Sequence, residues 1–155
     1  MIGSQNRKGG AVEKDEFILR AKIDELDIES HKIVQKFPRT ERHVLAAEIR
    51  SILNNIIRYE ERAGKMQLSE RRRAARPVQT LELLQRLDAE LGLLKRQINK
   101  ADALGYLQAQ GMTARGRWSG MAIEVGSVLG GWIKTVENRV YPYGQRRQSP
   151  EQGKL

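Results

Sequence analysis

Leu84, Leu87, Leu91, Leu94, Ile98 and Ala101 follow one another at alternating steps of three and four. That spacing draws one apolar stripe along an α-helix, whereas a half-buried strand would place apolar residues at every second position. Three further stretches repeat it. Between Val12 and Lys36 the row begins Leu19, Ile23, Leu26, Ser30, Ile33 and leads to Phe37, with Ser30 its one polar interruption. Next, Leu45, Ile49, Ile52, Ile56 and Tyr59 form a row that Leu53 and Ile57 widen. The fourth runs from Trp118 to Thr135. No segment of four to eight residues alternates at period two, so no strand is expected. Four such helices with short connections predict an all-α fold, an antiparallel up-and-down four-helix bundle.

The breaks between rows carry their own signals. Pro38 ends the first helix, because the residue before a proline avoids the helical region. It also suits the first position of the second helix, where its missing N–H costs nothing. Gly64 is the expected cap at the end of that helix. Pro77 or Thr80 opens the third, which Leu104 and Leu107 could extend to about Gln108, and Thr113 is the expected N-cap of the fourth. The predicted organisation is a flexible basic tail over residues 1–11, one bundle domain over 12–140, and a disordered basic tail over 141–155.

The fourth helix is the unusual one. Trp118, Met121, Val125, Val128, Trp132 and Thr135 make one face; Ala122, Gly126, Leu129 or Gly130, and Ile133 make a second, smaller stripe. Gly126, Gly130 and Gly131 each cost a helix interior about 1 kcal/mol relative to alanine, so close packing must compensate. The small stripe admits either a sister helix of the same bundle or a helix of another subunit.

Charge is the strongest functional statement in the composition. The formal net charge is +9 and the isoelectric point about 10.1, which favours an anionic partner such as nucleic acid. Lys65, Arg71, Arg72, Arg73 and Arg76 face only Glu70 between Lys65 and Val78. Arg39 and Arg42, at the start of the second helix, and Arg58 and Arg62, in its last turns, extend the candidate set. Arginine suits phosphate through its bidentate fork. No aromatic residue lies among Arg71 to Arg76, so base stacking is not indicated and contacts are expected at the backbone of the nucleic acid. A solvated charged face is the competing reading of the same run.

Catalytic signatures are missing from the sequence. Its two histidines, His31 and His43, fall on different helices, and there is no cysteine. The Glu-x-x-His pair of di-iron bundles, the phosphate-binding loops and the Gly-x-Ser-x-Gly elbow do not occur. No enzyme activity, cofactor or metal is expected. The longest apolar run, Met121 to Ile133, contains Glu124 and is too short to span a bilayer. Without a signal-like leader in Met1 to Ala11, a cytoplasmic protein with no membrane partner is expected.

The segment Ile123-Glu-Val-Gly-Ser-Val-Leu-Gly-Gly-Trp-Ile-Lys134 resembles the closing helix of the accessory variability determinant (Avd) family of diversity-generating retroelements. Phe37-Pro38-Arg39 resembles both that family and its relatives, the four-helix-bundle proteins of ribosomal-RNA intervening sequences. The resemblance covers about Val12 to Val140. It implies a barrel-shaped homopentamer with a basic outer surface and no catalysis of its own. It also implies binding to the retroelement's reverse transcriptase and to RNA or RNA–DNA hybrid, in support of mutagenic cDNA synthesis. The family motif maps onto Val125, Gly126, Leu129, Gly130, Trp132 and Ile133 as packing residues. The intervening-sequence relatives suggest the alternative, an oligomeric structural or ribosome-associated protein with no reverse-transcriptase partner.

Overall fold

The first three apolar rows become buried ones, with Ile57 and Tyr59 half-buried at the edge of the second. The computed structural model describes residues 6–71, 77–111 and 113–142, with side chains described for 16–67, 77–108, 110–111 and 113–142. These residues form α1 (Asn6–Val34), α2 (Leu45–Arg71), α3 (Pro77–Ala103) and α4 (Ala114–Val140), with 3₁₀ turns at Arg39–Glu41 and Gln108–Gln110. No strand occurs among them. Leu19, Ile23, Leu26, Ser30 and Ile33 of α1 are buried against Leu45, Ile49, Ile52, Leu53 and Ile56 of α2 and the leucine row of α3 in one core. Fully burying one such side chain is worth roughly 1.5–3 kcal/mol, so these rows dominate the fold's stability.

Cross-helix pairs fix the register. Gln97 Nε2 donates to Glu48 Oε1 at 2.8 Å, and Asn55 Nδ2 to Glu90 Oε1 at 3.5 Å. Seven residues forward on α2 therefore match seven backward on α3, an antiparallel pair. Lys22–Glu124 (3.1 Å) and Glu29–Arg117 (2.7 Å) set α1 antiparallel to α4 in the same way. The helices follow one another around the bundle in chain order, with the narrowest seam between α1 and α2.

That seam holds the most deeply buried acid among the described residues. Glu60 is 3 % exposed, and its Oε1 accepts from Arg20 Nε at 3.2 Å. Burial raises the Glu60 carboxyl above the ordinary range, while the Arg20 guanidinium partly opposes the shift. Gly64 lies one turn further along α2, and the Glu16 carboxylate occupies the space where a Cβ would stand. Gly64 is thus no cap. Its missing side chain admits a carboxylate from α1, and good helix formers beyond it carry α2 on to Arg71.

Other boundaries also differ from expectation. α1 starts at Asn6, so residues 6–11 belong to a helix rather than a tail; Gly9 and Gly10 lower its propensity but leave its N–H groups free to continue the ladder, as proline would not. Pro38 does not open α2. It adopts φ −53°, ψ 147° ahead of the 3₁₀ turn, and α2 begins at Leu45. α3 stops at Ala103, because Gly105 turns to φ +81° and the Tyr106 N–H donates to Ala101 O at 3.0 Å, closing a Schellman-type end. Thr113 holds the N-cap position of α4 without a side-chain cap bond.

In α4 the two expected stripes are flanks of a single face. The buried row is Trp118, Ala122, Val125, Leu129, Trp132 and Val136, again at steps of four and three. Met121 and Val128 edge it on one side and Ile133 on the other, all half-buried. Phe37 closes this end of the core, 5.5 Å from the Tyr106 ring and 6.5 Å from Trp118.

Candidate nucleic-acid interface

Ion pairing neutralises some cations of this bundle and leaves others open. Three cations towards α4 are paired, Lys22 with Glu124, Arg117 with Glu29, and Arg115 with Asp102 at 3.2 Å, whereas Lys95 and Lys134 have no carboxylate partner among the described residues. On α3, Arg86 is paired with Glu82 at 2.8 Å. Further open cations stand on the outside of α2 and α3. Arg58 and Arg62 are exposed one turn apart on the outside of α2, with no carboxylate partner among the described residues. Arg96 and Lys100 stand likewise on the outside of α3.

The arginines singled out in the sequence therefore do not converge on one spot. Arg39 and Arg42 are exposed at the α1–α2 connection, where Arg42 Nη2 donates to Gln35 O at 3.4 Å. Arg58 and Arg62 stand on the second half of α2, the half that leads towards Arg71. Arg72, Arg73 and Arg76 lie outside the described residues, and so does the Arg71 side chain. Arg96 and Lys100 were not singled out. The signal was available, since the α3 row leaves both positions on the opposite side of the helix.

The packing residues divide similarly. Ala122, Leu129 and Trp132 are core, and Ile133 packs against it. Gly126 faces α3, where an added Cβ would meet Leu91 Cδ2 at 3.4 Å and Lys95 Nζ at 3.5 Å. Gly130 faces open space outside the bundle, with nothing within 4 Å of an added Cβ. One of these two glycines thus serves contact within the chain, and the other does not.

Among the described residues no group of three His, Cys, Asp or Glu side chains could hold a metal ion, and no helix is long and apolar enough to cross a membrane. His31 Nε2 lies 3.5 Å from Asp27 Oδ1, four residues back on α1. A four-helix bundle with open surface cations is what remains, and the sequence matches a known family over residues 17–136. The chain belongs to the bAvd-like family. This is the accessory variability determinant family that the α4 motif resembles, a family of accessory proteins rather than of enzymes. Its match spans all four helices and excludes both chain ends. No curated protein and no solved structure matches the chain significantly.

Proposed function

We propose that this protein is the non-catalytic accessory subunit of a diversity-generating retroelement. It binds the reverse transcriptase and its template RNA and cDNA in the cytoplasm and supports mutagenic cDNA synthesis. The observation that carries the reading is the bAvd-like match across the whole bundle. The unneutralised arginines support the nucleic-acid half of it, because a cation without a carboxylate partner is available to phosphate. Arg39, Arg42, Arg58, Arg62 and the run Arg71, Arg72, Arg73 and Arg76 are the proposed phosphate contacts, sequence-independent and salt-sensitive. The working unit is a homo-oligomer, a barrel-shaped pentamer, in which the open face of α4 around Gly130 is free for subunit contact.

Co-expression with a retroelement reverse transcriptase tests the reading. A complex that stays together through size-exclusion chromatography is expected. Failure to associate with the enzyme, with co-sedimentation on ribosomal subunits instead, would replace this function with the ribosome-associated one.

A further inference from the structure

α1 and α4 each turn one uncovered face away from the bundle. On α1 that face carries Phe17, Ala21, Asp24 and Ile28, at steps of four, three and four, all exposed. Phe17 keeps 75 % of its surface in water and Ile28 56 %. On α4 it carries Gly120, half-buried, with Ser127 and Gly131, both exposed. An added Cβ at Gly120, Gly130 or Gly131 would meet nothing within 4 Å. Each of these glycines costs the helix about 1 kcal/mol relative to alanine, and no neighbour among the described residues uses the space it leaves.

The two rows have the same length and opposite relief. Phe17 and Ile28 stand eleven positions apart, and so do Gly131 and Gly120, about 16 Å at 1.5 Å per residue. Ala21 lies four residues from Phe17, and Ser127 four from Gly131. Laid antiparallel, the rows set Phe17 against Gly131, Ala21 against Ser127 and Ile28 against Gly120. Large side chains then meet bare backbone, the complementarity by which helices pack closely. Charge agrees with this register. Asp24 has no partner among the described residues, and it falls within one helical turn of Lys95, the open cation beside Gly126. Glu124, at the same level, is already paired with Lys22 of its own chain. That pair also sets α1 beside α4 within the chain, so their outward faces can meet only between copies. Resting on the homo-oligomer proposed above, we infer that the outward face of α1 docks on the outward face of α4 of a second copy. The contact joins two different surfaces, so it repeats head to tail and closes a ring where the rotation allows.

Oxidative cross-linking of the full chain tests the pairing, because the sequence has no cysteine of its own. A disulfide forms only where the two Cα atoms approach within about 7 Å. Co-expressed Ala21→Cys and Ser127→Cys chains should form disulfide-linked dimers containing one of each, while either variant alone should stay uncross-linked. The double variant should give a ladder of covalent oligomers. Phe17→Ser with Ile28→Ser should dissociate the oligomer in light scattering and leave its helix content unchanged. If a cysteine lowers helix content, Phe17→Cys with Gly131→Cys repeats the measurement. An oligomer whose double variant does not cross-link, a single variant that cross-links to itself as well as the mixture does, or an oligomer that survives the serine pair would each overturn this docking while keeping the homo-oligomer. A parent protein that is monomeric in light scattering would remove the homo-oligomer itself.

Discussion

The Trp118 indole N–H donates to Ser30 Oγ at 2.8 Å, and that hydroxyl donates in turn to Leu26 O at 2.6 Å. Both residues are fully buried. The polar interruption in the α1 row is therefore the partner that the large aromatic of α4 requires, and the pair ties the first helix to the last across 88 positions of sequence.

Ser30→Ala should destabilise the bundle by about 1–3 kcal/mol, the cost of a buried donor left unsatisfied. Trp118→Phe removes that donor, so Ser30→Ala should cost much less in its background. Urea denaturation of the parent, both single variants and the double variant measures the coupling. Additive losses would mean the hydrogen bond contributes little.

Glu60 gives the fold a pH dependence with a definite sign. Its carboxyl titrates above the ordinary value in the folded chain, so the native state holds a proton that the unfolded chain has already released. The resulting stabilisation is complete below the unfolded value and is lost as pH rises through the folded one. Glu60→Gln cannot lose a proton. Its stability relative to the parent should rise between pH 4 and pH 8 in urea melts, with Arg20, 52 % exposed along its side chain, turning to water. A constant difference across that range would contradict the assignment.

Gly126 and Gly130 of α4 should respond in opposite ways. Gly126→Leu overfills the contact with Leu91 and should cost about 1–3 kcal/mol. Gly130→Ala meets no neighbour within the chain and should gain up to about 1 kcal/mol of helix propensity. Thermal melts and light scattering on both variants separate the cases. A Gly130→Leu variant that keeps its native assembly would place the subunit contact elsewhere.

Much of this architecture was legible in the sequence, because burial follows the 3–4 row so closely: Leu84 through Ala101 is buried as the spacing requires. Helix ends were less legible. Gly64 looks like a cap until Glu16 is seen to fill its place, a contact between residues 48 positions apart that no local pattern encodes. The face of α4 was read as two stripes because Trp118, Val125 and Trp132 fit one row, while Ala122 and Leu129, small or offset, belong to the same row only once α1 and α3 close on it. Candidate charges were found by their clustering along the chain. Arg96 and Lys100 escaped because they lie within the long apolar-row helix α3, away from the charge run at residues 65–76.

Reversal of Arg71, Arg72 and Arg73 to glutamate should weaken binding to all RNA sequences alike and flatten the salt dependence, by about 0.7 to 0.9 per lost contact. Helix content and oligomeric state should stay as in the parent, since these residues lie outside every apolar row. Unchanged slopes would make the run solvated charge.

The most direct test of the accessory role is cDNA synthesis from a retroelement template RNA by its reverse transcriptase, with and without this protein. The expected result is that template-primed cDNA appears only when both proteins are present, and that this protein alone makes none. A reverse transcriptase that yields the same cDNA, in the same amount, without it would contradict the account.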